Sequence, residues 1–153
     1  MPIISERQAH QLRALFAEQA RERVTITLFT RQAEPDATMA NPIARACDDA
    51  RALLAEVEAL APDYLALETR NLAADAAEAR ALGIERVPAL VLRGKVAGLV
   101  RTFGVPADYE FTTLVDDLLD LLAGGHTALS ETSRAALALL RRPVHLQVFE
   151  APT

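Results

Sequence analysis

Residues 83–103 read Gly-Ile-Glu-Arg-Val-Pro-Ala-Leu-Val-Leu-Arg-Gly-Lys-Val-Ala-Gly-Leu-Val-Arg-Thr-Phe, and this stretch decides the fold. Ala89 to Leu92 is a short apolar run of strand character, and Pro88 sits at its start, where a missing backbone N–H costs least. Arg93-Gly94-Lys95 can turn the chain back into Val96 to Phe103, giving a hairpin and one antiparallel pair. Working backward, Gly83 ends a short Ala-rich helix that Asn71 is expected to cap, and Tyr64 to Thr69 alternates as a strand before it. Asn41-Pro42 supplies an N-cap and a preset first helical position. Ile43, Ala46, Cys47, Ala50, Leu53, Leu54, Val57 and Leu60 then keep one helical stripe.

Further upstream, Val24 to Phe29 alternates apolar and polar residues as a strand. Ser5 and Gln8 form a capping-box pattern opening a helix over residues 5–20. Downstream, Pro106 is expected to start a helix whose Phe111, Leu114, Val115, Leu118, Leu119 and Leu122 face inward, closed by Gly124-Gly125. Helices between the first three strands require crossovers and build parallel pairs, whereas the hairpin adds an antiparallel strand. The expected fold is therefore α/β, with a mixed sheet covered on both faces.

The end of the chain resembles a second beginning. Ser130-Glu131 opens an amphipathic helix, and Val144-His145-Leu146-Gln147-Val148-Phe149 matches the first strand position for position. Residues 1–125 are read as one domain and 126–153 as a helix-strand extension, the start of an internal repeat that breaks off after its first strand. A chance likeness of two short pieces remains the alternative. A strand without a ladder leaves backbone groups unpaired, so Val144–Phe149 must find a sheet edge, its own or a second copy's. The expectation is the second copy, giving a homodimer through Val144–Phe149.

Composition narrows the chemistry. The 153 residues carry 16 Lys plus Arg against 21 Asp plus Glu, for a net charge of −5, and no dense basic cluster is present to track a phosphate backbone. Nucleic acid is not an expected partner. No apolar run approaches the ~18 residues that a membrane helix needs, and the opening lacks signal-peptide character, so a cytoplasmic chain away from membranes is expected. One cysteine, Cys47, excludes an intrachain disulfide, a Cys-rich zinc site and a complete C-x-x-C pair. His10, His126 and His145 show no metal-ligand spacing, Asp116, Asp117 and Asp120 read as a solvated helix face, and no phosphate-binding glycine motif occurs. No cofactor or metal is expected.

Two blocks together resemble the thioredoxin superfamily: the strand-loop-helix from Val24 to Leu60, and Gly83-Ile84-Glu85-Arg86-Val87-Pro88-Ala89 leading into a hairpin. More narrowly, residues 103–111 (FGVPADYEF) and the helix-strand ending in Phe149-Glu150-Ala151-Pro152-Thr153 look like the glutaredoxin-like protein disulfide oxidoreductases. Those proteins fuse two thioredoxin units, as does the related amino-terminal domain of the flavin-linked alkyl hydroperoxide reductase subunit. The resemblance implies a three-layer fold: a mixed four-stranded sheet, an N-terminal helix, and an added C-terminal helix and strand. It implies a cis bond before Pro88, with Val87 presenting backbone groups to an extended peptide. It also places Cys47 on the second cysteine of the family motif and Ala44 on the first, so that the attacking thiol is missing. The loop from Arg31 to Ala40 is longer than the family's.

Disulfide exchange needs a thiolate, and a free cysteine of pKa ~8.5 is mostly thiol at neutral pH unless a helix N-terminus or a cation activates it. If Asn41 caps the helix, Cys47 lies past the first turn, beyond the strong reach of the helix dipole, and on the apolar stripe. The first functional reading is a degenerate, redox-inactive binding or assembly module; Val87 and Pro88 would line its docking groove, against the plainer structural reading in which Pro88 is simply needed for the turn. The alternative is a single-cysteine thiol-disulfide oxidoreductase or peroxide-linked enzyme using Cys47 as nucleophile, with Thr30, Arg31 or Arg45 stabilising the thiolate. A third is a component that docks on a separate thiol or redox-protein partner supplying the missing cysteines.

Overall fold

The computed structural model describes residues 2–31, 41–125 and 128–149. The elements are α1 (Glu6–Gln19), β1 (Val24–Thr30), α2 (Pro42–Glu58), β2 (Leu65–Asn71), α3 (Ala76–Ala81), β3 (Ala89–Arg93), β4 (Val100–Phe103), α4 (Tyr109–Leu122) and α5 (Glu131–Ala138). The four strands form one sheet in the order β2-β1-β3-β4. The α2 crossover makes β1 and β2 parallel, from Val24↔Leu65 to Thr30↔Asn71. β3 runs antiparallel to both β1 and β4, with Phe29↔Ala89 and Ala89↔Phe103 as register points. The sheet is mixed, as read from the sequence, but only β1 and β2 form the expected parallel pair. β3, expected to be parallel as well, runs antiparallel to β1, because the six-residue α3 is too short to carry the chain back along the seven-residue β2 and β3 starts at the end where β2 stops.

Period-2 alternation sorts the strand residues onto two faces. Val24, Ile26 and Leu28 of β1 join Leu90 and Leu92 of β3 in a large cluster with Phe16, Leu54, Val57, Leu118 and Leu122, so α1, α2 and α4 cover that face. Phe29, Ala89 and Val91 point the other way and meet Ala79, Leu82 and Ile84 at and just beyond α3. The three layers follow. Each of the larger side chains enclosed here contributes roughly 1.5–3 kcal/mol by leaving water.

Local chemistry fixes the helix ends. Ser5 and Gln8 make the reciprocal capping box at α1, and Asn41 Oδ1 accepts from the Ile43 N–H at 3.0 Å at α2. After α4, the Gly125 N–H donates to Asp120 O at 2.9 Å and the Gly124 N–H to Leu121 O at 3.0 Å. Both glycines hold positive φ, so this paired stop suits residues without a Cβ.

Several boundaries differ from the sequence expectation. Asn71 does not cap α3: its Oδ1 accepts from Ala73 and Ala74 N–H groups in an intervening turn, and the helix begins at Ala76. α4 begins at Tyr109 rather than Pro106, and only Val100–Phe103 of the returning hairpin arm is strand. The strand expected over Val144–Phe149 is not formed in the single chain. Residues 128–149 are all exposed, and 144–149 join no ladder, without which alternating side chains cannot make a strand. His126, the loop beyond Arg31 to Ala40, and Glu150 to Thr153 lie outside the described residues.

Asp117 also departs from the solvated face assigned to it. It is half-buried while Asp116 and Asp120 are exposed, and burial first, then the charges of Asp120 and Asp116, push its carboxyl above the ordinary range. A carboxyl raised in the folded state contributes stability that is full below its unfolded pKa and is lost as pH rises through the folded value. Asp117→Asn is therefore expected to raise the urea midpoint at pH 7, with the gain shrinking as pH falls below about 4. Leu54→Ala, at a fully enclosed position between α2 and the sheet, is expected to cost about 2–5 kcal/mol in the same urea titration.

Candidate functional site

β1 and β2, parallel and in register, end together, and α2 must start at that end to return the chain to β2. The antiparallel register Phe29↔Ala89 sets Thr30 beside Pro88 at the same end of the sheet. Thr30 is buried. Its Oγ1 donates to Arg70 O at 3.3 Å, and its own carbonyl accepts from the Leu72 N–H at 2.9 Å. The Val87–Pro88 peptide bond is cis, Val87 is half-buried against the smaller core cluster, and Pro88 is buried. Pro88 O accepts from the Gly104 N–H at 2.9 Å, tying the start of β3 to the end of β4.

Cys47 is 0% exposed, on the face of α2 that also buries Ala50, Leu53, Leu54 and Val57. Arg45 lies two residues earlier on α2 and is exposed. Two residues turn an α-helix by about 200°, so the Arg45 and Cys47 side chains leave nearly opposite sides of it. Arg31 is exposed immediately after Thr30. The fold thus brings Thr30, Val87 and Pro88 together, and it separates the exposed guanidinium of Arg45 from the enclosed sulfur.

Sequence reasoning missed the side chains that border Pro88. A cavity of about 220 Å³ is lined by Arg86, Val87, Pro88, Phe103 and Gly104. The Arg86 guanidinium stands 4.6 Å from the centre of the Phe103 ring, and that of Arg101 stands 5.9 Å from it, both within cation–π range. Phe103 remains 37% exposed. Arg101 is steadied by donating from Nη1 to Leu82 O, an approach open only because Gly83, at φ +66°, carries no Cβ to collide with that nitrogen. The available signal was the alternation of Val100-Arg101-Thr102-Phe103, which puts Arg101 and Phe103 on one face. The long turn over residues 94–99 hid the register that brings Arg86 there. The result is a shallow surface of one aromatic ring, two cations and the Val87 backbone, suited to an extended chain rather than to an enclosed small molecule. Among the described residues no group of His, Cys, Asp and Glu could hold a metal ion, and no helix is long and apolar enough to cross a membrane.

A mixed four-stranded sheet in this strand order, flanked by helices on both faces, defines a thioredoxin-like fold. Solved structures share it. The alkylhydroperoxide reductase AhpF of Enterococcus faecalis superimposes with a TM-score of 0.71 at 22% identity, covering 90% of this chain and 61% of its own. The NTD_N/C domain of the same reductase gives 0.70 at 22%, covering 89% of this chain and 61% of its own. A protein disulfide oxidoreductase of Aeropyrum pernix gives 0.68 at 24%, covering 90% and 55%. The chain therefore spans little more than half the length of these structures. No family model matches the sequence, and no curated protein matches it.

The enclosure of Cys47 makes its packing measurable. Cys47→Ser would bury a hydroxyl in place of a weakly polar thiol, at a cost of about 1–3 kcal/mol unless it finds an acceptor. Cys47→Ala is expected to cost less than Cys47→Ser, and urea unfolding of the two variants measures the order.

Proposed function

We propose that this chain is a redox-inactive binding module built on a thioredoxin-like fold, which docks an extended peptide along Val87 and Pro88 with Arg86 and Phe103 beside it. The observation that carries the reading is the complete enclosure of Cys47, the single cysteine of the sequence. Dithiol exchange requires one thiolate to attack a disulfide sulfur and a second to resolve the mixed disulfide. This chain has no second thiol, and its first is shielded from any disulfide that approaches through solvent.

Retained without its chemistry, the surface beside Pro88 still offers what a docking site needs. An extended peptide could use the Val87 backbone, lay an apolar side chain on the Phe103 ring, and set a carboxylate near Arg86. The likeness to AhpF and to a disulfide oxidoreductase directs the choice of partner toward thiol and redox proteins. A cytoplasmic location agrees with a lone reduced thiol.

Two measurements test the reading. Iodoacetamide is expected to leave Cys47 unmodified from about pH 6 to about pH 9 until urea unfolds the chain. Insulin reduction with dithiothreitol present is expected to proceed at the rate of dithiothreitol alone. Rapid alkylation of the folded protein at neutral pH, or insulin reduction well above the dithiol control, would overturn it.

A further inference from the structure

The sheet ends in two edges, and they are not alike. On the β2 side, Glu58 Oε1 accepts from the Leu67 N–H at 2.7 Å and so occupies an outward-facing ladder donor. Glu68 and Arg70, paired at 2.6 Å, set charge along the same strand. Both features discourage strand addition. On the β4 side, Val100–Phe103 pairs with β3 alone, and no side chain among the described residues closes the outer edge. Beside β4, on the face covered by α4, lies a cavity of about 200 Å³ whose lining includes Thr102, Val105, Pro106 and Leu114.

The same chain carries a segment that fits this edge. Val144, Leu146 and Val148 alternate with His145, Gln147 and Phe149, so that an extended conformation puts the three aliphatic side chains on one side. They are largely in water, Leu146 at 85% exposure, and so is Phe149. A segment over residues 144–149 is long enough to span the whole of β4.

We propose that residues 144–149 add as a strand to the β4 edge of a second copy of this chain, with the reciprocal addition closing a two-fold dimer. Val144, Leu146 and Val148 then cover the cavity between β4 and α4, while the backbone groups of both segments gain ladder partners. The occupant is the second copy because the segment leaves its own β4 edge unpaired in the single chain. The exposed Leu137, Leu139 and Leu140 at the end of α5 also need cover that one copy does not provide. The proposal does not depend on the redox state of Cys47 or on peptide docking at Pro88.

The test combines sedimentation equilibrium with hydrogen exchange on the full chain. A dimer is expected at micromolar concentration, with amides of 100–103 and 144–149 exchanging at least about tenfold more slowly in the dimer than on dilution to monomer. Leu146→Lys is expected to give a folded monomer that loses protection in both segments and keeps that of β1. Thr102→Lys, on the receiving edge, is expected to do the same. A monomer at all concentrations overturns the proposal. So does a dimer in which either segment exchanges freely, and so does concentration-independent protection of 144–149, which would mean that the segment closes on its own sheet.

Discussion

The structure rests on β1, the one strand with a long ladder on each side. It pairs in parallel with β2 over seven residue pairs and antiparallel with β3 over five, and all but Thr25 of its residues are buried. A strand held this way cannot slip: a shift of one residue would carry Ile26 and Leu28 to the α3 face and Phe29 to the face of the three helices. Its register therefore fixes everything at its carboxyl end. Thr30 comes to lie beside Pro88 because Phe29 is committed to Ala89, and the Gly104–Pro88 hydrogen bond extends the same constraint across to β4. The surface that borders Pro88 is a consequence of how the central strand packs in the core.

The same packing sets the position of the thiol. α2 presents one stripe to the sheet, and Cys47 belongs to it along with Ala50, Leu54 and Val57. A helix has room for either an enclosed cysteine or one that faces a reactant, since turning Cys47 outward would turn Leu54 and Val57 out with it. Arg45, on the opposite side of α2, obeys the same rotation. Ala44 stands at the third residue of α2, so no sulfur occupies the first turn, where the positive end of the helix dipole would favour a thiolate.

What the sequence made legible were features governed by neighbouring residues. The alternation of Val24 to Phe29, the Asn41-Pro42 start of α2 and the Gly124-Gly125 stop of α4 are each determined within a few positions, and each stands in the structure. The misread boundaries have competing local chemistry. Asn71 spends its side-chain oxygen on Ala73 and Ala74, which delays α3, and turn hydrogen bonds from Ala107 to Val105 and from Glu110 to Ala107 occupy the stretch between Pro106 and the body of α4. At the site, Thr30 at the end of β1 and Val87-Pro88 just before β3 could be placed from the strand pattern, whereas a binding role for Val87 and Pro88 came only from the resemblance. The stacking of Arg86 on Phe103 was not legible, because it joins residues far apart in sequence through a hairpin register that the turn over 94–99 left open. The strand character of Val144–Phe149 was read from alternation alone, and alternation specifies which side chains share a face without supplying a neighbour to pair with.

The two sheet edges differ in how much backbone the topology leaves available. β2 is closed by a carboxylate from α2, an element that must pass over the sheet in any case to make the parallel crossover. β4 lies farthest from that crossover, is the shortest strand, and is followed directly by Gly104, so no helix returns across its outer side before α4 begins at Tyr109. The topology itself thus leaves the hairpin edge as the place where backbone remains available. Its two faces differ as well: Arg101 and Phe103 give the α3 side an aromatic and cationic character, whereas Val100 and Thr102 face the main core. An added strand must match both faces at once, and a sequence alternating aliphatic residues with His, Gln and Phe meets that condition where a uniformly polar or uniformly apolar one would not.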